Sequence, residues 1–534
     1  IQFAQIDTSA NTVNFIDSAL ASDVVISTSG AVSTTGAFTA NGTIKLDGNY
    51  PTGTDNVAIG DTALDSVEAG GVNNTAIGDN ALTSNTTADD NTAVGKSSLA
   101  DNTTGCRNTA VGSCALENNT TGCQNNSLGW CSLFTNTTGC DNVGIGSAAL
   151  LSSTSACYNT AIGKSAMQAT TTGNSNVAVG RNALVANTTG DANVAVGNLA
   201  LDANTTASNN VAIGCGALGA NTTGEVNTAV GTASMVTNTT GFGNTALGKN
   251  SLYTNNGNNN TAIGHEALEL NSSGSCNVAV GRQALEANTT ASDNTAVGFK
   301  SLNANTTGTL NTALGLCALT TNVSSNHNTA LGANSLRANT GIQNTAVGSA
   351  SLFKNIGGEN HVAVGYLSLA CNTTGSNNTA IGFTSLCANT TASNNTAVGK
   401  QALKANTTGT NLTSLGANTL SSNTTGSNNV ALGNSMESNT TGGNNTAGGG
   451  GALQSNTTAS GNTAFGRIAL SANTTGANNV AVGFCALRIN TTGGSNTSLG
   501  ACSLCHNSTA SNNTAVGFCA LHENTTGTNQ TVIG

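Results

Sequence analysis

The chain reads as all-β, a parallel β-roll or β-solenoid of about twenty-eight coils with a repeat of roughly 17 residues. Three observations predict this. A glycine closes the motif Asn-Thr/Val-Ala-Val/Ile/Leu-Gly at nearly every seventeenth position from Gly60 to Gly534. Inside the motif the branched residues alternate with Ala at the period of two that marks a strand. Four residues after the Gly stands Leu, from Leu64, Leu82 and Leu99 onward, and Met167, Met235 and Met436 fall in the same column. Met replaces Leu at nearly constant volume, so the column marks a buried slot. A solenoid lengthens without thickening its core, so 534 residues need not mean several domains.

Each element of the coil follows from this pattern. In the strand, Val111, Val179, Val194 and Val196 are expected to point inward, with Leu116 and Leu184 beside them. Ala110, Ala178, Ala195 and Ala380 would then face away from the coil's own interior, where their small size suits another chain. The motif Gly supplies a bend or a close backbone approach. A second short strand is expected around Ala/Ser-Leu. The link Asn-Thr-Thr-Gly-x-x returns the chain, with Asn187, Asn221, Asn288, Asn406 and Asn473 in one column. Many of these Asn sit in glycosylation sequons, yet they follow the coil geometry, which favours a stacked amide ladder. Steps of 18 residues (Gly60 to Gly78) and 16 residues (Gly248 to Gly264, Gly332 to Gly348) can be placed in this link, which reads as an exposed turn. A further short step, Gly433 to Gly449, falls before Met436. Residues 1–55 carry the single proline and short alternating stretches such as Val24-Val25-Ile26-Ser27; they read as a β-rich entry segment or cap, with the shaft at 56–534. Residue 1 is Ile and the chain stops on a motif glycine, so a fragment or a processed product of a longer array is expected.

Composition removes several function classes. Charged residues are 7% and aromatics 3%, and the formal net charge is −10. No Lys/Arg block is present, so the footprint of nucleic-acid binding is missing. No run of about 18 apolar residues exists, so no membrane span is expected. Repetition spreads like side chains along a rod, whereas catalysis gathers unlike groups at one point; no enzyme, catalytic residue, metal or cofactor is expected. No Ser/His/Asp or paired-carboxylate arrangement clusters.

Two kinds of column carry candidate chemistry. Of fifteen cysteines, Cys106, Cys123, Cys140 and Cys157 stand on successive coils, as do Cys485, Cys502 and Cys519. Neighbours would lie about 4.8 Å apart, inside the disulfide range, but parallel side chains are badly aimed for bonding. The column reads as free thiols acting as small apolar groups, with axial or interchain disulfides as the alternative. A metal ladder is the third and least favoured reading, since Cys-x-x-Cys (Cys502 to Cys505) occurs once, without a second pair. Trp130, Phe299, Tyr366, Phe383, Phe484 and Phe518 follow the motif Gly, in a column that also accepts Lys and Arg and so reads as exposed. Exposed rings there can stack on sugars or partners, but tolerated variation at a turn, or contact with a neighbouring chain, is the favoured reading. His265, His327, His361, His506 and His522 are scattered and read as solvated surface.

At Asn56-Val57-Ala58-Ile59-Gly60, and at residues 209–214 with a doubled Asn, the chain resembles the YadA-like head repeat of trimeric autotransporter adhesins, whose motif is Asn-Ser-Val-Ala-Ile-Gly. The resemblance covers residues 56–534 and implies a left-handed parallel roll trimerised along its axis. That family's coil is shorter, and its stalk and membrane anchor are absent from these residues. The longer repeat and the lead-in Ile44-Lys45-Leu46-Asp47-Gly48-Asn49-Tyr50-Pro51 look more like fibre-type virion structural proteins of marine phages, especially cyanophages. The expected function is therefore the shaft of a trimeric phage tail or appendage fibre for host attachment, at the virion surface or otherwise extracellular. Its partners would be two further copies of itself, other virion components and a host glycan or protein. Alternatives are a bacterial surface adhesin and an ice-binding or self-assembling filament; ice binding needs outward threonines.

Overall fold

The computed structural model describes residues 5–7, 12–14, 53–68 and 70–534. The chain divides into two compact units, 1–47 and 48–534. In the first, β1 (Gln5–Asp7) and β2 (Thr12–Asn14) pair antiparallel. Apart from residues 53–55, the remainder of the expected cap, including Val24–Ser27, lies outside the described residues. The second unit is the solenoid, with twenty-nine strands of three residues from β3 (Val57–Ile59) to β31 (Thr531–Ile533). Each pairs in parallel with the next. Val194, Ala195 and Val196 sit beside Val211, Ala212 and Ile213, so every sequence column is also a spatial column. Among the described residues there is no helix.

The strand faces are the reverse of the expected ones. Ala195 is 0% exposed inside the coil, whereas Val194 and Val196 are half-exposed. The same holds for Val111 and Val179 against the fully buried Ala110 and Ala178. Leu116 and Leu184 are fully buried. The reason is room. The Leu side chain opposite already fills the narrow interior, and a methyl group is all the strand can add at close-packed density. The small Ala column therefore says nothing about a neighbouring chain.

The expected second strand is also absent. The small residue and the Leu after it, such as Ser98 and Leu99, are both fully buried, and a strand cannot turn adjacent side chains to the same face. The chain runs through turns instead. Leu99 has φ 51° and Ser97 φ 54°, a left-handed geometry repeated at the Leu column of successive coils. Such a conformation costs a non-glycine residue about 1–2 kcal/mol. It is offset by full burial of the Leu, about 1.5–3 kcal/mol, and by axial bonds: Leu99 N–H donates to Ala115 O at 3.0 Å, and Ser97 N–H to Asp79 O at 2.8 Å. The motif glycine is fixed twice over. Gly197 has φ 138°, and a Cβ there would lie 2.5 Å from the carbonyl oxygen of Gly214 on the next coil.

The rest of the interior is polar. Asn193 donates its backbone N–H to Asn176 Oδ1 at 2.9 Å and its Nδ2 to the same oxygen at 3.2 Å. Asn204, in the link, donates Nδ2 to Asn187 Oδ1 at 2.9 Å. The two columns meet at one carbonyl: Ala207 O accepts Nδ2 of both Asn193, at 2.9 Å, and Asn204, at 3.0 Å. Only half of the link is an exposed turn. Its Asn and Gly are buried, while its two Thr lie outside and the first donates along the axis, as Thr188 Oγ1 does to Thr205 O at 3.0 Å. The short steps fall in the link as expected: Asn255 and Asn339 reach the glycine two residues on, Gly257 and Gly341, where other coils reach three.

Where Ser153 and Thr170 replace the link Asn, their hydroxyls are buried without a partner, and so is Asn136 Oδ1 on the coil before. The shorter side chains cannot span a coil. Restoring the amides with Ser153→Asn and Thr170→Asn together is expected to stabilise this part of the rod by about 1–3 kcal/mol, since each bond restored contributes about 0.5–1.5 kcal/mol. A higher denaturant midpoint for the double variant checks this.

Candidate functional site

Three surfaces and one cluster are candidates. The first surface is the outer face of the strand ladder. Its first column is mostly Thr or Val; its third carries Ile213, Leu247, Ile263, Leu314, Leu331 and Leu415, each about 37–47% exposed. In-register pairing makes this an apolar ridge that follows the ladder.

The second surface is the ring column. Trp130, Phe299, Tyr366, Phe383, Phe484 and Phe518 are all exposed. They do not assemble into one site. Tyr366 and Phe383, on adjacent coils, stack with centroids 5.6 Å apart. Phe299 lies between Arg282 and Lys300, with the charges 5.9 and 5.6 Å from its centroid, a cation–π arrangement.

The third is the thiol column. Cys106, Cys123, Cys140 and Cys157 are partly buried and free. Each sulfur from the second onward accepts the backbone N–H of the coil before: Cys106 to Cys123 Sγ at 3.1 Å, Cys123 to Cys140 Sγ at 3.2 Å, Cys140 to Cys157 Sγ at 3.1 Å. Further along the same column Asn174 Oδ1, Asp191 Oδ1 and Ser208 Oγ do the same work. Over these coils a short side chain ending in an acceptor fills the position, and Cys, Asn, Asp and Ser interchange there; further along, Phe242, Ile342 and Ala477 stand in the same column without one. Cys485 is buried, with Cys502 and Cys519 partly so, and burial raises the Cys485 and Cys519 thiols above their ordinary value. Burial, then Cys114 and Glu117, pushes Cys131 up to about 11. Protonated thiols are poor nucleophiles.

The histidines are not all solvated surface. His361 is 1% exposed and stands in the interior Asn column. Its Nδ1 accepts the N–H of Asn378 at 3.2 Å, and its Nε2 side faces Gly375 O, so a neutral imidazole reproduces both halves of the amide it replaces. His506 and His522 come together with Cys505, their ring centroids 4.5 Å apart. Sequence reasoning missed this cluster, although its signal was present: a shift of seventeen residues sets Cys505 over His522 and His506 over Glu523.

Compared with protein-family models the chain matches none, and no curated protein matches it.

Burial lowers the His361 pKa from 6.5 to about 4, against its bonds to Gly375 and Asn378, which raise it. The unfolded chain therefore takes up the proton first as pH falls. The contribution of His361 is complete above about pH 6.5 and is lost down to about pH 4, to the extent of about 3 kcal/mol. His361→Asn, which restores the ladder amide, is expected to flatten thermal stability over that window.

Proposed function

We propose that this chain is the shaft of a parallel homotrimeric fibre, a phage tail or appendage fibre that holds a host-binding tip at a fixed distance from the virion. The observation that carries the reading is the outward apolar ridge. Contiguous exposed apolar surface beyond a few hundred Å² marks an interaction site, and this ridge repeats coil after coil. A partner that covers it must repeat at the same axial interval, and a second and third copy of the chain meet that requirement by construction. The likeness of the motif to trimeric adhesin heads and phage fibres supports the same arrangement. The work is mechanical: rigid spacing without a catalytic centre. Exposed rings such as stacked Tyr366 and Phe383 are the candidate contacts for host glycan.

One observation favours a second reading, ice binding. Threonines such as Thr228, Thr245 and Thr261 open their strands on the outward face, half-exposed or exposed. The Thr row is broken at Val177, Val194 and Val211 on successive coils, and the Ile and Leu beside it differ in height, which suits a packed interface better than a flat ice plane. A thermal-hysteresis measurement separates the two readings.

Light scattering of the full chain is expected to give the mass of three copies, and a stable folded monomer at micromolar concentration refutes the trimer. Leu247→Lys with Ile263→Lys is expected to weaken assembly by at least tenfold in sedimentation, whereas Thr189→Lys on the exposed link leaves it unchanged.

A further inference from the structure

We propose that Cys505, His506 and His522 form a binding site for a divalent transition-metal ion, Zn²⁺ by its ligand chemistry, which ties two neighbouring coils together.

The coil geometry builds the set. Cys505 and His522 occupy one column on successive coils, and His506 and Glu523 occupy the next. The backbone holds them in step, with His506 N–H donating to His522 O at 3.1 Å. The candidate ligand atoms of Cys505, His506 and His522 lie within 4.8 Å of one another. A tetrahedral ion with bonds of about 2.0–2.3 Å needs ligands roughly 3.3–3.8 Å apart. Rotation of the two partly exposed imidazoles can close that gap while buried Cys505 stays in place.

The second ring nitrogens are already engaged. His506 Nδ1 lies 3.1 Å from His522 O, and His522 Nδ1 lies 2.7 Å from Glu523 Oε1. With the proton on each Nδ1, both Nε2 atoms present a lone pair, the pattern in which a carbonyl or carboxylate orients a metal-bound histidine. One thiolate and two imidazoles leave a fourth position for water and match Zn²⁺ better than Mg²⁺ or Ca²⁺, which take oxygen ligands. Binding displaces the thiol proton to solvent. Arg488, on the coil before, is a positive charge near Cys505; the Glu523 carboxylate beside His522 adds a negative one to the site.

The metals themselves are the probes. Titrated with Co²⁺, the full chain is expected to show thiolate-to-metal charge-transfer absorption that saturates at one equivalent per chain. Cys505→Ser and His522→Ala should each remove it, and Cys106→Ser should leave it intact. Unchanged binding in both site variants, or loss of the signal in Cys106→Ser alone, overturns the proposal. A second readout needs no variant. Zn²⁺ should slow alkylation of Cys505 at least tenfold, read by peptide mass spectrometry, with Cys106 unaffected; equal labelling with and without Zn²⁺ also overturns it.

Discussion

The rod depends on amides stacked at the spacing of parallel strands. A coil this thin has little apolar surface to bury, and its backbone turns leave carbonyls facing inward that water cannot reach. The two asparagine columns answer this. Each Asn offers an acceptor to one neighbouring coil and donors to another, and the turn carbonyl that Asn193 and Asn204 share joins the columns. An unsatisfied buried amide costs more than a made one contributes, so the ladder is close to all-or-none at each level. Ser153 and Thr170 show the failure: a side chain one bond shorter leaves its own hydroxyl and its neighbour's oxygen unpaired.

That polar interior explains what faces outward. Leu, small residues and amides take all the interior space, and the strand contributes only its Ala. The branched residues that give the strand its propensity are therefore displayed. Stability along the axis and stickiness across it come from opposite faces of the same three residues.

Periodicity made the coil, the strand before the motif glycine, the Leu column and the amide ladder legible in the sequence, because each is a statement about spacing; the second strand expected around Ala/Ser-Leu was a misreading of turns. The direction of the strand side chains was not legible. Period two fixes that Val194 and Val196 share a face and that Ala195 takes the other; which face is inside depends on the volume left by Leu184 and Leu201 across the coil, a property of the closed turn. The left-handed backbone at Leu99 was hidden because leucine is an improbable residue there, and only its double duty of filling the core and bonding axially makes it worth the strain. The Cys505 cluster was hidden because His522 stands apart from the adjacent Cys505 and His506 in linear order and meets them only when the chain is wound at seventeen residues per turn. Phe299 and its flanking cations were visible as an exposed column, but the absence of a common site was not.

Near-identical coils carry a hazard. If every level were the same, a strand could pair one level too far at almost no energetic difference, and the folding landscape would hold many shifted states of similar energy. The irregular coils break that degeneracy. The link shortened at Asn255–Gly257 and again at Asn339–Gly341, and the turn shortened before Met436, where Gly433 takes φ 72° in place of the usual value near 135°, fit their own neighbours and no others. They act as index marks along a ruled scale, letting a repetitive chain find a single registration.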